Sequence, residues 1–235
     1  EVLRGPSALI HGGNGVGGVI NVLDHKVPTA VPVNGVEGSA EVRAQSVSRG
    51  QAGAAQVTFG RGPLVLHVEG AARDDGAYRV GRGWSDGGRV PGSFNRTKTG
   101  GLGLSWVDTQ GYLGLAYTRQ EARYGLPGHA HDGEDCHPHG DHLRCGGHGD
   151  HDHDGHDHDD HAAAGVPVVD LRSNRWDLRG EWREPVAGVT AVRLRGGLTD
   201  YEHDEREDGA VATTFRNRAY DLRLEVQHRP VMGWQ

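Results

Sequence analysis

The 235 residues contain no run of 18 consecutive apolar residues, so the chain encodes no transmembrane helix; a membrane-spanning strand needs no such run. A basic stripe is also missing. The net charge is −7, and ten acids against one base, Arg144, within residues 129–161 account for more than all of it, leaving 24 bases and 22 acids elsewhere. That balance argues against a nucleic-acid partner. Catalytic signatures are absent too: there is no G-x-S-x-G, H-E-x-x-H or P-loop, and no Ser/His/Asp set stands out. Gly13, Gly15 and Gly18 match G-x-G-x-x-G, but the residues that follow, 19–23, read as a strand, whereas a dinucleotide fingerprint opens a helix. The chain is read as no enzyme. Cysteine is scarce, with only Cys136 and Cys145.

What is abundant is histidine, in one place. Eleven of the sixteen histidines lie in residues 129–161: His129, His131, His137, His139, His142, His148, His151, His153, His156, His158 and His161. None of these groups builds a core, and imidazole with carboxylate and sulfur is the donor set of zinc, copper or nickel rather than of calcium or magnesium. Four His-x-His pairs occur (129/131, 137/139, 151/153 and 156/158), and an extended chain puts i and i+2 on one side. Each pair therefore offers two nitrogens to one ion. A solvating low-complexity tract is the bland alternative, but Asp or Ser would solvate equally well. The surplus of acids also concentrates divalent cations locally. Cys136 and Cys145, nine positions apart, fit a disulfide that closes a short loop and adds roughly 2.5 to 3 kcal/mol. A Cys/His zinc site is the competing reading, although the spacing is not a standard one.

The flanking sequence alternates with period two. In Arg175-Trp-Asp-Leu-Arg-Gly-Glu-Trp-Arg183, Trp176, Leu178, Gly180 and Trp182 share one face and five charged residues share the other. Similar patterns predict strands over 36–47, 51–60, 64–74, 97–107, 111–123, 170–184, 189–203 and 214–229. Trp and Tyr near strand ends and 39 glycines favour an all-β fold class, a transmembrane antiparallel β-barrel with a polar lumen and a lipid-facing exterior, which the resemblance below makes a partial one; a soluble sandwich shares the alternation. Connections at 61–63, 108–110 and 184–188 are short, whereas those at 75–96, 124–169 and 204–213 are expected to be long. Only the turn near 48–50 breaks that contrast. Barrels of the outer membrane have short periplasmic turns and long external loops, which would place the histidine tract outside the cell.

Val2-Leu-Arg-Gly-Pro-Ser-Ala-Leu-Ile10 followed by Gly17-Gly-Val-Ile-Asn-Val22 resembles the end of the plug domain in TonB-dependent outer-membrane receptors. Tyr124-Gly-Leu-Pro-Gly-His-Ala-His131, the stretch from Cys136 to Cys145, the His/Asp repeats, Val169-Asp-Leu-Arg-Ser173 and Tyr201-Glu-His-Asp-Glu205 are similar to the zinc-uptake receptors of ZnuD type. The resemblance implies residues 1–30 as the end of a plug, 31–235 as about eight strands of the barrel, and a His-rich extracellular loop over 124–169. It implies the outer membrane of a Gram-negative bacterium, outer-membrane lipid around the barrel, and energy from the TonB-ExbB-ExbD complex. Zinc is then cargo and not a cofactor, with copper or nickel as other fits.

Whole receptors of this kind carry a signal peptide, a TonB box, a full plug and about 22 strands, so the chain is expected to be a fragment and its sheet open, with exposed edges. Strand parity turns Val192, Leu194 and Leu198 toward lipid, and Arg193, Arg195, Thr199, Tyr201, His203 and Glu205 toward the lumen. His203 and Glu205, near the rim, become candidate metal ligands. His67 beside Glu69 also faces the lumen and ranks below them; His11, His25 and His228 read as structural or incidental. Two rival functions carry different expectations. A receptor for a siderophore, haem or cobalamin would use the tract as an accessory, and a zinc-bridged surface adhesin would have no need of the plug segment.

Overall fold

The structure is a computed structural model that describes residues 24–81, 88–127 and 166–230 in full, and the backbone alone of 2–4, 18–20, 136–139 and 142–145. Among the described residues there is no α-helix. Strands β1 (Val2–Arg4) and β2 (Gly18–Ile20) pair antiparallel. One eight-stranded sheet holds β3 (Val36–Gln45), β4 (Gly50–Arg61), β5 (Leu64–Asp75), β6 (Asn95–Val107), β7 (Gly111–Gly125), β10 (Val168–Arg183), β11 (Val189–Glu207) and β12 (Ala210–His228), each beside its sequence neighbour and all antiparallel. The short β8 (Cys136–His139) and β9 (His142–Cys145) form a hairpin in the connection between β7 and β10. Strands β3 and β12 are the two edges, so the sheet is open.

All eight expected strands are present, and most run further than the alternation reaches. The largest difference lies between β11 and β12, where the expected long connection over 204–213 is a two-residue turn. Asp208 and Gly209 occupy it with φ of 48° and 83°, the pair of left-handed residues that a type I′ hairpin demands and that Asp-Gly supplies. The turn over 108–110 is closed by the Asp108 carboxylate, which accepts from the backbone of Gln110 at 2.7 Å and Gly111 at 3.0 Å. The short turn near residue 48 lies at the same end of the sheet as the long connections, so two of the four connections there are short and the contrast of loop lengths holds only for the other two. It docks on the neighbouring long connection, where Ser48 Oγ and Gln45 Nε2 donate to Asp75 Oδ1 at 3.0 and 2.7 Å and Gly76 N donates to Ser48 O at 3.0 Å.

The sheet is apolar on one face, which is bare, and polar on the other, which is covered only over its central strands. Cross-strand rows on the bare face read Phe59, Leu66, Leu104, Leu115 and Leu178, then Val57, Val68, Leu102, Tyr117, Trp176, Leu198 and Tyr220. Leu104 is 53 % exposed, Leu222 74 % and Tyr220 86 %. One row further from the short turns the residues become Arg119, Asn174, Asp200 and Arg218. Aromatic residues mark both margins of the apolar band, with Trp106 and Trp182 toward the short turns and Tyr117, Trp176 and Tyr220 toward the long connections. Tyr117 and Trp176 touch with ring centroids 4.8 Å apart, and Tyr117 donates to Asn174 Oδ1 at 2.7 Å.

The opposite face carries Val65, His67, Ser105, Ala116, Thr118 and Asp177, all buried. Residues 24–32, which lead into β3, run over this face at Gly60, Gly103 and Gly114. Arg179 anchors this segment through Asp24 at 2.8 Å. Gly103 and Gly114 leave room for it: a side chain at Gly103 would strike the Lys26 carbonyl, and one at Gly114 would strike Ser105 Oγ first and then Val27. Val27 is 1 % exposed as a result. Ion pairs occupy the rest of this face, with Arg193 bridging Glu181 at 2.8 Å and Glu225 at 2.9 Å, and Arg175 held by Asp177 at 2.8 Å.

Candidate functional site

Candidate metal-ligating residues fall on the connection between β7 and β10 and on the strand β11. Strands β7 and β10 run in register up to Gly125 and Val168, and the histidine tract leaves from those two residues. His129, His131, His148, His151, His153, His156, His158 and His161 lie outside the described residues. His137, His139 and His142 belong to the β8–β9 hairpin, where His139 stands opposite His142 and Cys136 stands opposite Cys145.

The second group sits on β11. His203 has Leu171 of β10 on one side and Phe215 of β12 on the other, so its ring is flanked by fixed neighbours. The imidazole stacks on Phe215 with centroids 5.3 Å apart and planes 24° apart, and Nδ1 lies 3.0 Å from the Tyr201 hydroxyl. Tyr201 in turn meets Phe215 edge-on. Nε2 looks toward Glu205 Oε1 at 3.9 Å. The register of β11 against β12 shifts between Glu205 and Arg206, and an irregularity of this kind at a sheet end re-aims the side chains beside it. His203 is part-buried and Glu205 more open, with side chains 22 % and 42 % exposed.

A shared ion needs both donors at about 2.0–2.1 Å, which for tetrahedral zinc puts N and O about 3.3–3.4 Å apart. The 3.9 Å of His203 and Glu205 is therefore a pair that must close by about half an ångström to share an ion. Among the described residues no three His, Cys, Asp or Glu side chains converge; His203 and Glu205 offer two donors, with the remaining positions open. Arg193, Arg195, Thr199 and Tyr201 share the covered face with them through strand parity, and Arg193 is committed to Glu181 and Glu225. Sequence reading did not find Phe215. Its signal was the cross-strand position opposite His203, which only the Asp208 and Gly209 turn fixes.

A third place is His67 on β5. Its Nδ1 is 2.9 Å from Thr58 Oγ1 and its Nε2 is 3.5 Å from Glu69 Oε2. No known family model matches the chain.

Proposed function

We propose that this chain is the end of the plug and an arc of the barrel of a TonB-dependent outer-membrane receptor that imports a divalent metal, zinc first. The observation that carries the reading is the inverted sheet, with its apolar band bare and bounded by Trp and Tyr, its polar face covered over the central strands, and a histidine-rich connection leaving from one end. A contiguous exposed apolar face of this size calls for lipid or a partner, and aromatic margins are what a bilayer's interfaces favour. About 9–11 residues of strand suffice to cross, so β11 and β12, at 19 residues each, have length to spare beyond the apolar band. Charged pairs fill that surplus, among them Arg216 with Glu202 at 2.6 Å and Arg206 with Asp170 at 2.8 Å.

On this reading the tract captures metal outside the cell, His203 and Glu205 receive it at the rim, and energy from TonB-ExbB-ExbD moves the plug. Residues opposed across an antiparallel ladder have Cα atoms about 4.5–5.5 Å apart, within disulfide reach. The register of Cys136 opposite Cys145 therefore favours the disulfide over the zinc site. Mass spectrometry after alkylation without reductant should find the two cysteines joined in protein from the cell surface; two alkylated thiols, or protection by zinc alone, would reverse that choice.

The function itself is tested by accumulation of radioactive zinc in cells carrying the full-length receptor, with and without a working TonB-ExbB-ExbD complex. Uptake should require the complex and should ignore iron-loaded siderophore, haem and cobalamin. Competition by one of those organic ligands would make the tract an accessory, and zinc-dependent cell adhesion without uptake would make the protein an adhesin.

A further inference from the structure

His67 is 2 % exposed, yet its Nε2 has no hydrogen-bond partner. A buried ring nitrogen left without a partner is costly. The other nitrogen is secured at 2.9 Å by Thr58 Oγ1, so when the hydroxyl accepts from Nδ1–H, Nε2 presents a lone pair. In that tautomer the lone pair faces a carboxylate, since Glu69 Oε2 stands 3.5 Å away. Two electron-rich atoms at such a distance invite a cation between them. An ion about 2.05 Å from each would subtend about 117°, close to the tetrahedral angle of zinc. Glu69 is also the link to solvent: its side chain is 24 % exposed and lines a cavity of about 490 Å³ with Ser39, Glu41, Gln56 and Thr99. The Lys26 carbonyl lies over Gly103, the cross-strand neighbour of His67, so the segment leading into β3 covers the other side.

We infer that His67 Nε2 and the Glu69 carboxylate form a second divalent-cation site of zinc type on the covered face, with water from the cavity completing the coordination. This rests on the metal-import reading and deepens it by giving the ion a stop under residues 24–32. Two protein donors leave open positions, which suits an ion that must move on. Thr58 acts as a positioning residue that holds the orientation of the ring.

The test is diffraction at the zinc absorption edge from crystals of the full chain in detergent, equilibrated over a series of zinc concentrations. The expected result is an anomalous peak between His67 Nε2 and Glu69, lost in His67→Gln and in the near-isosteric Glu69→Gln. In Thr58→Val the zinc needed for half occupancy should rise about 10- to 100-fold. Zinc at the tract or at His203 but none beside His67, or a peak that survives His67→Gln, overturns this site and leaves metal import standing. Zinc bound nowhere overturns both.

Discussion

Eleven histidines crowd residues 129–161, whereas His67 and His203 stand singly on strands whose registers fix every neighbour. On the proposed function the tract gains from number, since many donors in a short span raise the local concentration of metal. The strand histidines gain from placement. Phe215 and Tyr201 hold His203, and Thr58 holds His67, so less ordering entropy is lost when an ion arrives. On the proposed function, capacity and preorganisation are divided between two regions, and each can be attacked separately.

Protons should attack the tract hardest. A peptide spanning residues 126–168 is expected to bind several zinc ions at neutral pH and to release them below about pH 5.5, because imidazole must be neutral to ligate and its ordinary pKa is about 6.5. The sign is fixed: lower pH protonates the donor and expels the ion. Titration calorimetry at pH 7 and pH 5 measures it, and equal binding at both would remove histidine as the principal donor. Next in size, replacing both His203 and Glu205 with Ala in the full-length receptor should cut uptake at limiting zinc by about tenfold or more, since both rim donors go while capture persists. Parent-like uptake would leave the rim pair without a role in transport.

Much of this division is legible in the sequence because it depends on alternation. Trp176, Leu178 and Trp182 mark the apolar face, and with it the side on which Arg175, Asp177 and Arg179 lie. Legibility fails past the apolar band. From Tyr201 to Glu207 both faces of β11 are polar, so no period survives, and the ladder there continues on backbone hydrogen bonds and pairs such as Thr214 with Asp204 at 2.6 Å. That is why the turn at Asp208 and Gly209 looks like a longer loop, and why Phe215 is missed. The fate of residues 24–32 is equally hidden: Val27 and the glycines that admit it are 76 and 87 positions apart, and no local pattern joins them. Alternation places His67 on the face opposite the apolar rows, but its burial is a tertiary event.

A finer test of placement is Phe215→Leu, which keeps an apolar side chain and removes the stacked ring. Stacking of this kind is worth about 0.5 to 1.5 kcal/mol, so zinc affinity at the rim should fall about two- to tenfold. The control is Tyr220→Leu on the opposite face of the same strand, which should leave zinc affinity alone. Equal affinity in Phe215→Leu and the parent would show that His203 owes nothing to its neighbours.

The smallest effect should come from the most conspicuous residues. Deleting residues 148–161 removes six of the eleven tract histidines and should lower bound zinc per molecule by about half, in proportion to donors lost. Transport should suffer only when zinc is scarce, because a tract that raises local concentration adds nothing once the medium supplies enough metal to fill a preorganised site. Elemental analysis after dialysis gives the first quantity, and uptake across a range of zinc concentrations gives the second. The two curves should converge at high zinc. If the deletion instead abolishes transport at every concentration while the His203 and Glu205 double replacement transports like the parent, capture and transfer are one event, and the tract itself is the site through which metal enters.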